Sequence, residues 1–374
     1  MMKNALTGDQ VGIILAVRAG RANFDSPCQP ERGMSVQTRI FAQTKSDALV
    51  LLGSMQFNEG KSSRAVPVAI KITFLPKRKG AVSGSQIELK IYEREVQNLL
   101  LNQNTPNVVA LYAASVCSYG TARLPAALSK LKAKLLARKD ADTASLDLQR
   151  VQVLVMERAL GVNVEKYLQG RPPEADVRAV LFQVLYTLVC FQQVGLRHND
   201  LHFGNILVEA HKFSAPTYVN YFVSEDAFYR INVAGAFVKI FDFERASLPT
   251  TLQNPSSGVP NTANYKYDLF SFLSRLMDVP AAPSALKRQL RECCMSSAFA
   301  RRYAFSFSLC RLNAKNQCVP GDMRPSDAEL NTPLQFLTKL FAGQLHSLKE
   351  ESKRRSAKDR REFFRHSYFL PKLL

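Results

Sequence analysis

The sequence predicts an α+β fold in two lobes, a small antiparallel sheet with one helix followed by a mainly helical lobe. Three observations predict it. The chain has 374 residues, more than one domain of the commonest size, about 100–150 residues, requires. Short β-type runs crowd the stretch between Thr38 and Thr73. From Glu174 onward, apolar residues recur at helical spacing.

Residues 1–35 hold one short apolar stretch and the turn-rich piece Asp25-Ser-Pro-Cys-Gln-Pro-Glu-Arg-Gly33, and are expected to form an N-terminal appendage. The first lobe is expected over 36–157. Its runs Arg39-Ile-Phe-Ala42, Ala48-Leu-Val-Leu-Leu52 and Val66-Pro-Val-Ala-Ile-Lys-Ile72 are separated by polar and Gly-containing turns, the pattern of an antiparallel meander. A helix follows from Gln86 to Leu101, with Tyr92, Val96, Leu99 and Leu100 at i, i+4, i+7 and i+8, ending near Asn104-Thr-Pro106. Residues 118–150 form a basic insertion, and Val151-Gln-Val-Leu-Val-Met156 is a strand. The second lobe is expected over 158–345. It opens with a long helix from Glu174, started by Pro172-Pro173, with Val177, Leu181, Val184, Leu188 and Phe191 on one face. The rest of that lobe is expected to be helical except for an extended pair at Gly204–Val208 and Phe237–Phe241, and 346–374 is a basic tail.

The net charge of +19 predicts attraction to polyanions such as nucleic acid, nucleotide or acidic proteins. Ser118–Arg150 carries seven basic and three acidic residues, and Lys349–Arg365 eight and four, net +4 each. Most of the charge is therefore distributed, which favours a general basic surface over one nucleic-acid groove. In the tail, Glu350 with Arg354 and Glu351 with Arg355 have the spacing of a solvated helix. No apolar run reaches the roughly 18 residues of a membrane-spanning helix. Seven cysteines without paired spacing, and no secretory leader, predict a reducing intracellular setting without disulfides. Cys293, Cys294, Cys310 and Cys318 lack the short paired spacing of zinc ligands and are expected to be buried thiols.

The chemistry is carried by four motifs. His198-Asn-Asp200-Leu-His-Phe-Gly-Asn205-Ile-Leu-Val places a carboxylate and an amide five residues apart in one loop ahead of a β-type run. Val238-Lys-Ile-Phe-Asp242-Phe-Glu244 is an apolar strand ending in an acid. Val68-Ala-Ile-Lys71 is an apolar strand ending in a lysine, and Tyr265-Lys-Tyr-Asp268-Leu-Phe-Ser-Phe-Leu puts an acid in an apolar helical pattern. In this order over roughly residues 38–345 the four resemble the protein kinases, implying a bilobal protein-kinase-like fold and the cofactors ATP and Mg2+. The resemblance implies that Asp200 orients the acceptor hydroxyl, that Asn205 and Asp242 hold magnesium, and that Lys71 grips the α- and β-phosphates. It also implies that a helix Glu pairs with Lys71 and that Asp268 braces the catalytic loop. Glu93 is the expected partner, because Val96 and Leu100 at i+3 and i+7 put it on the packed face; Glu95 and then Glu88 are the alternatives. Met156 resembles the residue gating the adenine pocket, with Glu157 and Ala159 offering backbone bonds to the purine. The loop and the Asp268 segment are most similar to serine/threonine kinases of large DNA viruses, and secondarily to haspin. That implies protein substrates and a place in the host cytoplasm, host nucleus or virion.

The sequence departs from the family in identifiable places. Gln43-Thr-Lys-Ser-Asp47 stands where a glycine-rich phosphate loop belongs, with Lys45 the candidate cation there. His202 occupies the position of a lysine that contacts the γ-phosphate, so its charge depends on pH near the usual value of about 6.5; a His bonded within its own loop is the alternative. Asn199 replaces an arginine that binds a phosphorylated activation loop, Glu244 replaces a glycine, and no Ala-Pro-Glu follows. Two rivals remain. One is a small-molecule kinase, since aminoglycoside- and choline-kinase-like enzymes share the Asp-x-His-x-x-Asn loop, and the other is an inactive kinase fold acting as a basic binding or scaffold protein.

Overall fold

Alternating apolar residues between Ala48 and Pro76 demand a sheet, and the structure, a computed structural model, supplies one. It describes residues 10, 13–15, 17, 28, 34–42, 48–59, 62–77, 83–119, 126–138, 145–210, 217–248, 252–254, 267–294, 311–312, 318–319, 332–353, 356, 359, 363–364 and 366–371. The chain divides into two compact units, Gly8–Gln97 with Val109–Arg158, and Asn98–Val108 with Ala159–Leu374. The fold is mixed α and β with antiparallel sheets. Lys45 and the rest of Gln43–Asp47 lie outside the described residues, as do Arg354 and Arg355 of the tail and the side chains of Cys293, Cys294, Cys310 and Cys318.

In the first unit, β1 (Met34–Ala42), β2 (Ala48–Glu59), β3 (Ser62–Pro76), β4 (Leu111–Ser118) and β5 (Leu146–Glu157) form one sheet in the order β1-β2-β3-β5-β4. Every neighbouring pair is antiparallel, and the register sets Lys71 opposite Val50 on one side and Leu154 on the other. Helix α1 begins with a capping box at Ser83, runs Gly84–Ile91, continues through a π turn at Tyr92–Val96 and finishes as Gln97–Leu101. Gln152 of β5 donates to the Ser85 carbonyl, and Gln97 to the Leu111 carbonyl, which tie the helix to the sheet. Ile87, Ile91, Tyr92 and Val96 of the helix are buried, and so are Leu51, Val68, Ile70, Ile72, Val153 and Val155 of the sheet.

Three expectations need correction here. The basic insertion is smaller than its predicted span, because β4 and β5 extend into it and frame helix α2 (Ala126–Arg138). Leu128 and Leu135 of α2 are buried, Lys130 and Lys134 are exposed, and Lys132 sits 4.0 Å from the Tyr119 ring centre. Within the expected appendage, Gln10, Ile13 and Ile14 are buried in the first unit's packing. Cys28 and Cys117 form a disulfide, with Cα atoms 5.5 Å apart and a sequence separation of 89. Spacing rules do not detect such a pair, because the fold rather than the local sequence brings the two sulfurs together. Cys190 is a buried thiol whose pKa is pushed up by that burial.

The second unit is organised around one long helix. β6 (Val162–Asn163) and α3 (Val164–Gln169) lead to α4 (Glu174–Gln193), whose N-cap is Pro173. One apolar face was expected; instead α4 is buried without a break from Ala179 to Phe191. The extra cover includes a sheet that the helical expectation missed. β7 (Ile206–Glu209) pairs with β10 (Phe237–Ile240), as expected, and also with β6, which was not. Between them, β8 (Tyr218–Phe222) and β9 (Ala227–Asn232) form a hairpin within a four-stranded sheet ordered β13-β9-β8-β14.

Helices α5 (Tyr267–Asp278) and α6 (Ser284–Cys294), the small pair β11 (Arg311–Leu312) and β12 (Cys318–Val319), and α7 (Pro333–Leu340) follow. β13 (Leu345–Ser347), α8 (Leu348–Lys353) and β14 (Ser367–Phe369) complete the chain. Aromatic residues weld the hairpin to α4: the Phe182 ring lies 5.1 Å from Tyr221, 5.2 Å from Tyr229 and 5.0 Å from Phe341. Among the described residues no helix is long and apolar enough to cross a membrane.

Phe182→Ala should destabilise the second unit by about 3–5 kcal/mol through the cavity it leaves, measured by denaturant unfolding. Alkylation without reductant should spare Cys28 and Cys117, and mass spectrometry after reduction should show both modified. Cys117→Ser should cost about 2–4 kcal/mol.

Candidate active site

The site is built from the ends of two short strands. Ile206 of β7 stands opposite Ile240 of β10, so Asn205 and Phe241 leave the pair at the same end. The Phe241 N–H donates to the Asn205 carbonyl at 3.1 Å, which sets Asp242 next to Asn205's loop. The outer edge of β10 has no full strand beside it. Val238 N–H donates to Gln183 Oε1 at 3.0 Å, Val238 O accepts from Asn107 Nδ2 at 3.0 Å, and Ile240 N–H donates to the Asn107 carbonyl at 2.8 Å. Lys239, 1% exposed, donates to the carbonyls of Pro106 at 3.0 Å and Val108 at 3.4 Å.

The loop from Arg197 to Asn205 is clamped from several directions. Arg197 and Ser247 exchange two backbone bonds, of 3.0 and 2.9 Å. His198 donates its backbone N–H to Asp268 Oδ2 at 2.7 Å, and its Nε2 lies 3.0 Å from the Phe241 carbonyl, so that nitrogen carries the proton. Asn199, at a left-handed φ of 62°, donates to Arg245 O and Ser247 Oγ at 2.9 Å each. Asp242 has φ 66°, also left-handed. Asn and Asp tolerate this conformation better than branched residues, yet it persists only where surrounding bonds hold it. Asp268 is fully buried; burial raises its carboxyl above the usual range, while nearby His198 and the amides of His198 and Asn199 act in the other direction.

Asp200, His202 and Asn205 occupy one turn. Asn205 Nδ2 donates to the Asp200 carbonyl at 2.9 Å, and backbone bonds link His202 to Asp200 and Asn205 to His202. His202 Nδ1 accepts from Gly204 N–H at 2.9 Å, and its Nε2 is 3.8 Å from Asp200 Oδ2. A Cβ at 204 would lie 2.6 Å from His202 Cε1, so a larger residue there would require the His202 ring to move. Burial lowers the His202 pKa below its ordinary value, against the attraction of Asp200, which favours the neutral ring. Asp200 is part-exposed, with Arg245 Nε at 3.8 Å from its Oδ2.

In the first unit, Lys71 Nζ and Glu88 Oε2 form an ion pair of 2.8 Å with both side chains buried. Glu88, not Glu93, is the partner. In a regular helix, Val96 and Leu100 at i+3 and i+7 from Glu93 would put that acid on the packed face. The π turn at Tyr92–Val96 holds more residues per turn and shifts the phase, leaving Glu93 exposed while Ser85, Glu88, Ile91 and Tyr92 share the packed face. Glu95 is half-buried, with its pKa raised by burial.

Met156 is buried at the end of β5. The next residue, Glu157, donates its N–H to the Ala110 carbonyl at 2.8 Å, and its carboxylate accepts from Ala110 N–H at 3.1 Å and from Gln10. Ala159 opens the long segment of the second unit.

The structure thus gathers Asp200, His202, Asn205 and Asp242, with His198 and Asp268, in the second unit, and Lys71 with Glu88 in the first. Sequence reasoning missed Asn107, Gln183 and Lys239. A signal was available for Gln183 and Lys239, each a polar side chain set in an apolar stretch, a pattern that calls for a buried hydrogen-bonding role, whereas Asn107 ends the polar run Asn102-Gln-Asn-Thr-Pro-Asn107 and has no such signal.

Glu88→Gln should cost about 3–5 kcal/mol by leaving a buried ammonium without its carboxylate. Glu93→Gln, on the exposed side, should change stability by less than about 0.5 kcal/mol. Thermal unfolding of the two variants separates the assignments.

No family model matches the chain. It is similar to a protein of Acanthamoeba polyphaga mimivirus named "Putative serine/threonine-protein kinase", at 23% identity over 275 residues, covering 61% of this chain and 67% of the viral protein. That likeness supports a kinase-like relationship.

Proposed function

We propose that the chain transfers the γ-phosphate of ATP, with magnesium, to serine or threonine hydroxyls of protein substrates. The observation that carries this reading is the shared end of β7 and β10, where Asn205 and Asp242 emerge together and Asn205 binds the Asp200 carbonyl through its side chain. The viral relative's printed name points the same way.

The donor set suits magnesium, a hard cation that prefers oxygen ligands and keeps several waters. Asn205 Nδ2 is bonded to the Asp200 carbonyl, which makes Oδ1 the ligand atom, and Asp242 supplies a carboxylate. When bound, the ion neutralises charge on the phosphate oxygens. Asp200 accepts the proton of the attacking hydroxyl and orients it in line with the breaking P–O bond, so catalysis is mainly positioning and charge stabilisation. Lys71, held by Glu88, is the phosphate-binding cation. The Glu157 carbonyl and the Ala159 backbone bond the purine beside Met156. A neutral His202 leaves the γ-phosphate without the fixed charge a lysine would provide, and bonds within its own loop instead.

Transfer of radiolabel from ATP to a panel of acidic and basic proteins tests the reading. Asp200→Asn should lower transfer by about 10²- to 10⁴-fold, and Asp242→Asn should raise the magnesium concentration needed for nucleotide binding. Wild-type rates in both variants would overturn the site assignment. ATP binding with no labelled protein would shift the acceptor to a small molecule, and failure to bind Mg-ATP would leave a basic binding protein.

A further inference from the structure

The outer edge of β10 leads to a feature that phosphoryl transfer by itself does not explain. The segment that meets this edge is irregular backbone, yet Asn104, Thr105, Asn107 and Val108 are all buried. Buried irregular backbone must find partners for its polar groups. At one end Pro106, Asn107 and Val108 bond Lys239 and Ile240, three and two residues before Asp242. At the other end the partner is the C-terminus of the chain. Phe369 donates its N–H to the Gln103 carbonyl at 3.1 Å, and Asn104 Nδ2 donates to the Phe369 carbonyl at 2.8 Å. Gln103 itself takes a left-handed φ of 55°.

The C-terminal strand is held firmly for so short an element. β14 lies parallel to β8, with Ser367, Tyr368 and Phe369 opposite Asn220, Tyr221 and Phe222. Tyr186 of α4 donates its hydroxyl to the carbonyls of Phe222 at 3.0 Å and Tyr368 at 3.1 Å. Phe363, Phe364 and Phe369 pack on Phe222 and Phe228. A continuous series of bonds therefore runs from β14 through Gln103 and Asn104 to Pro106–Val108, then to Lys239 and Ile240, and so to Asp242.

We propose that the C-terminal strand is a positioning strap for Asp242, acting through Asn104 and Lys239, and that its docking sets how tightly the site binds magnesium. The inference rests on the phosphoryl-transfer reading, in which Asp242 is a metal ligand. Asn104 and Lys239 are positioning residues, since they act through β10 and its neighbours. The buried ammonium of Lys239 is suited to this, because two carbonyls on separate residues fix it and any shift of the 104–108 backbone moves the strand that carries it.

The test uses the full chain with Asn104→Ala, with Lys239→Met, and with removal of residues 366–374. Leu286→Ala, a buried change in α6 remote from the strap, is the control for general destabilisation. Two quantities are measured: magnesium affinity, by titration in the presence of a non-hydrolysable ATP analogue, and hydrogen exchange of the Ile240 amide. The strap predicts about tenfold weaker magnesium affinity and faster Ile240 exchange in Asn104→Ala and Lys239→Met, with neither change in Leu286→Ala. Affinity and exchange matching the control would overturn it, whatever the loss of melting temperature. Should the truncated chain fail to fold, the two point variants decide. Asp242→Asn separates the two readings: if it also leaves magnesium affinity unchanged, the metal assignment fails, whereas unchanged Ile240 exchange in Asn104→Ala refutes the strap alone.

Discussion

The second unit depends on satisfying the backbone of a four-residue strand. β10 is fully buried and has one full strand neighbour, β7. A buried amide or carbonyl left unpaired costs about 1–3 kcal/mol, so the other edge must be met by something. Gln183 and Asn107 meet it with side chains that also bond to each other at 2.8 Å, and the Asn107 carbonyl takes the last amide. Gln183 further donates to the carbonyls of Ala179 and Ala236, and Tyr221 donates to Asn107 Oδ1. Such a network has value only when complete. Its completeness explains why α4, the 103–108 segment, the hairpin and β10 are mutually fixed, and why the acid that follows β10 can hold a left-handed backbone.

A second constraint acts on the loop of Asp200. Its backbone is pinned by Phe241 and Ser247, from the stretch after β10, and by Asp268 of α5. Asn199 adds a side-chain clamp where a long cation would have reached outward, so that position serves the loop's own rigidity. The carboxylate of Asp200 remains part-exposed while its carbonyl is bound. Rigid backbone with an accessible reactive atom is the arrangement that positioning catalysis requires.

Much of this was legible in the sequence, and what was missed follows from how information is distributed along a chain. β2, β3, β5 and the long helix have ten or more residues each, enough for periodicity to show. The loop residues Asp200 and Asn205 and the strand-end Asp242 were found because their spacing is local. β13 and β14 have three residues each and exist only because β9 and β8 offer edges, so nothing local announces them. In β8 and β9 the aromatics stand in adjacent pairs, Tyr221-Phe222 and Phe228-Tyr229, so no period-2 pattern marks these strands and a helical region was expected. The Cys28–Cys117 pairing likewise needs tertiary proximity. Glu88 was passed over because a regular helix was assumed, and the π turn breaks the counting.

That π turn makes α1 two helices of different phase within one rod. Its first half aims Glu88 at Lys71, and its second half aims Val96, Leu99 and Leu100 at packing of their own. A uniform helix of the same length would have to sacrifice one of these alignments. The extra residue works as slack in the sequence: straightening the turn at Tyr92–Val96 into regular helix without removing a position would turn the two halves about 100° relative to each other, whereas removing one position would keep both facing as they do.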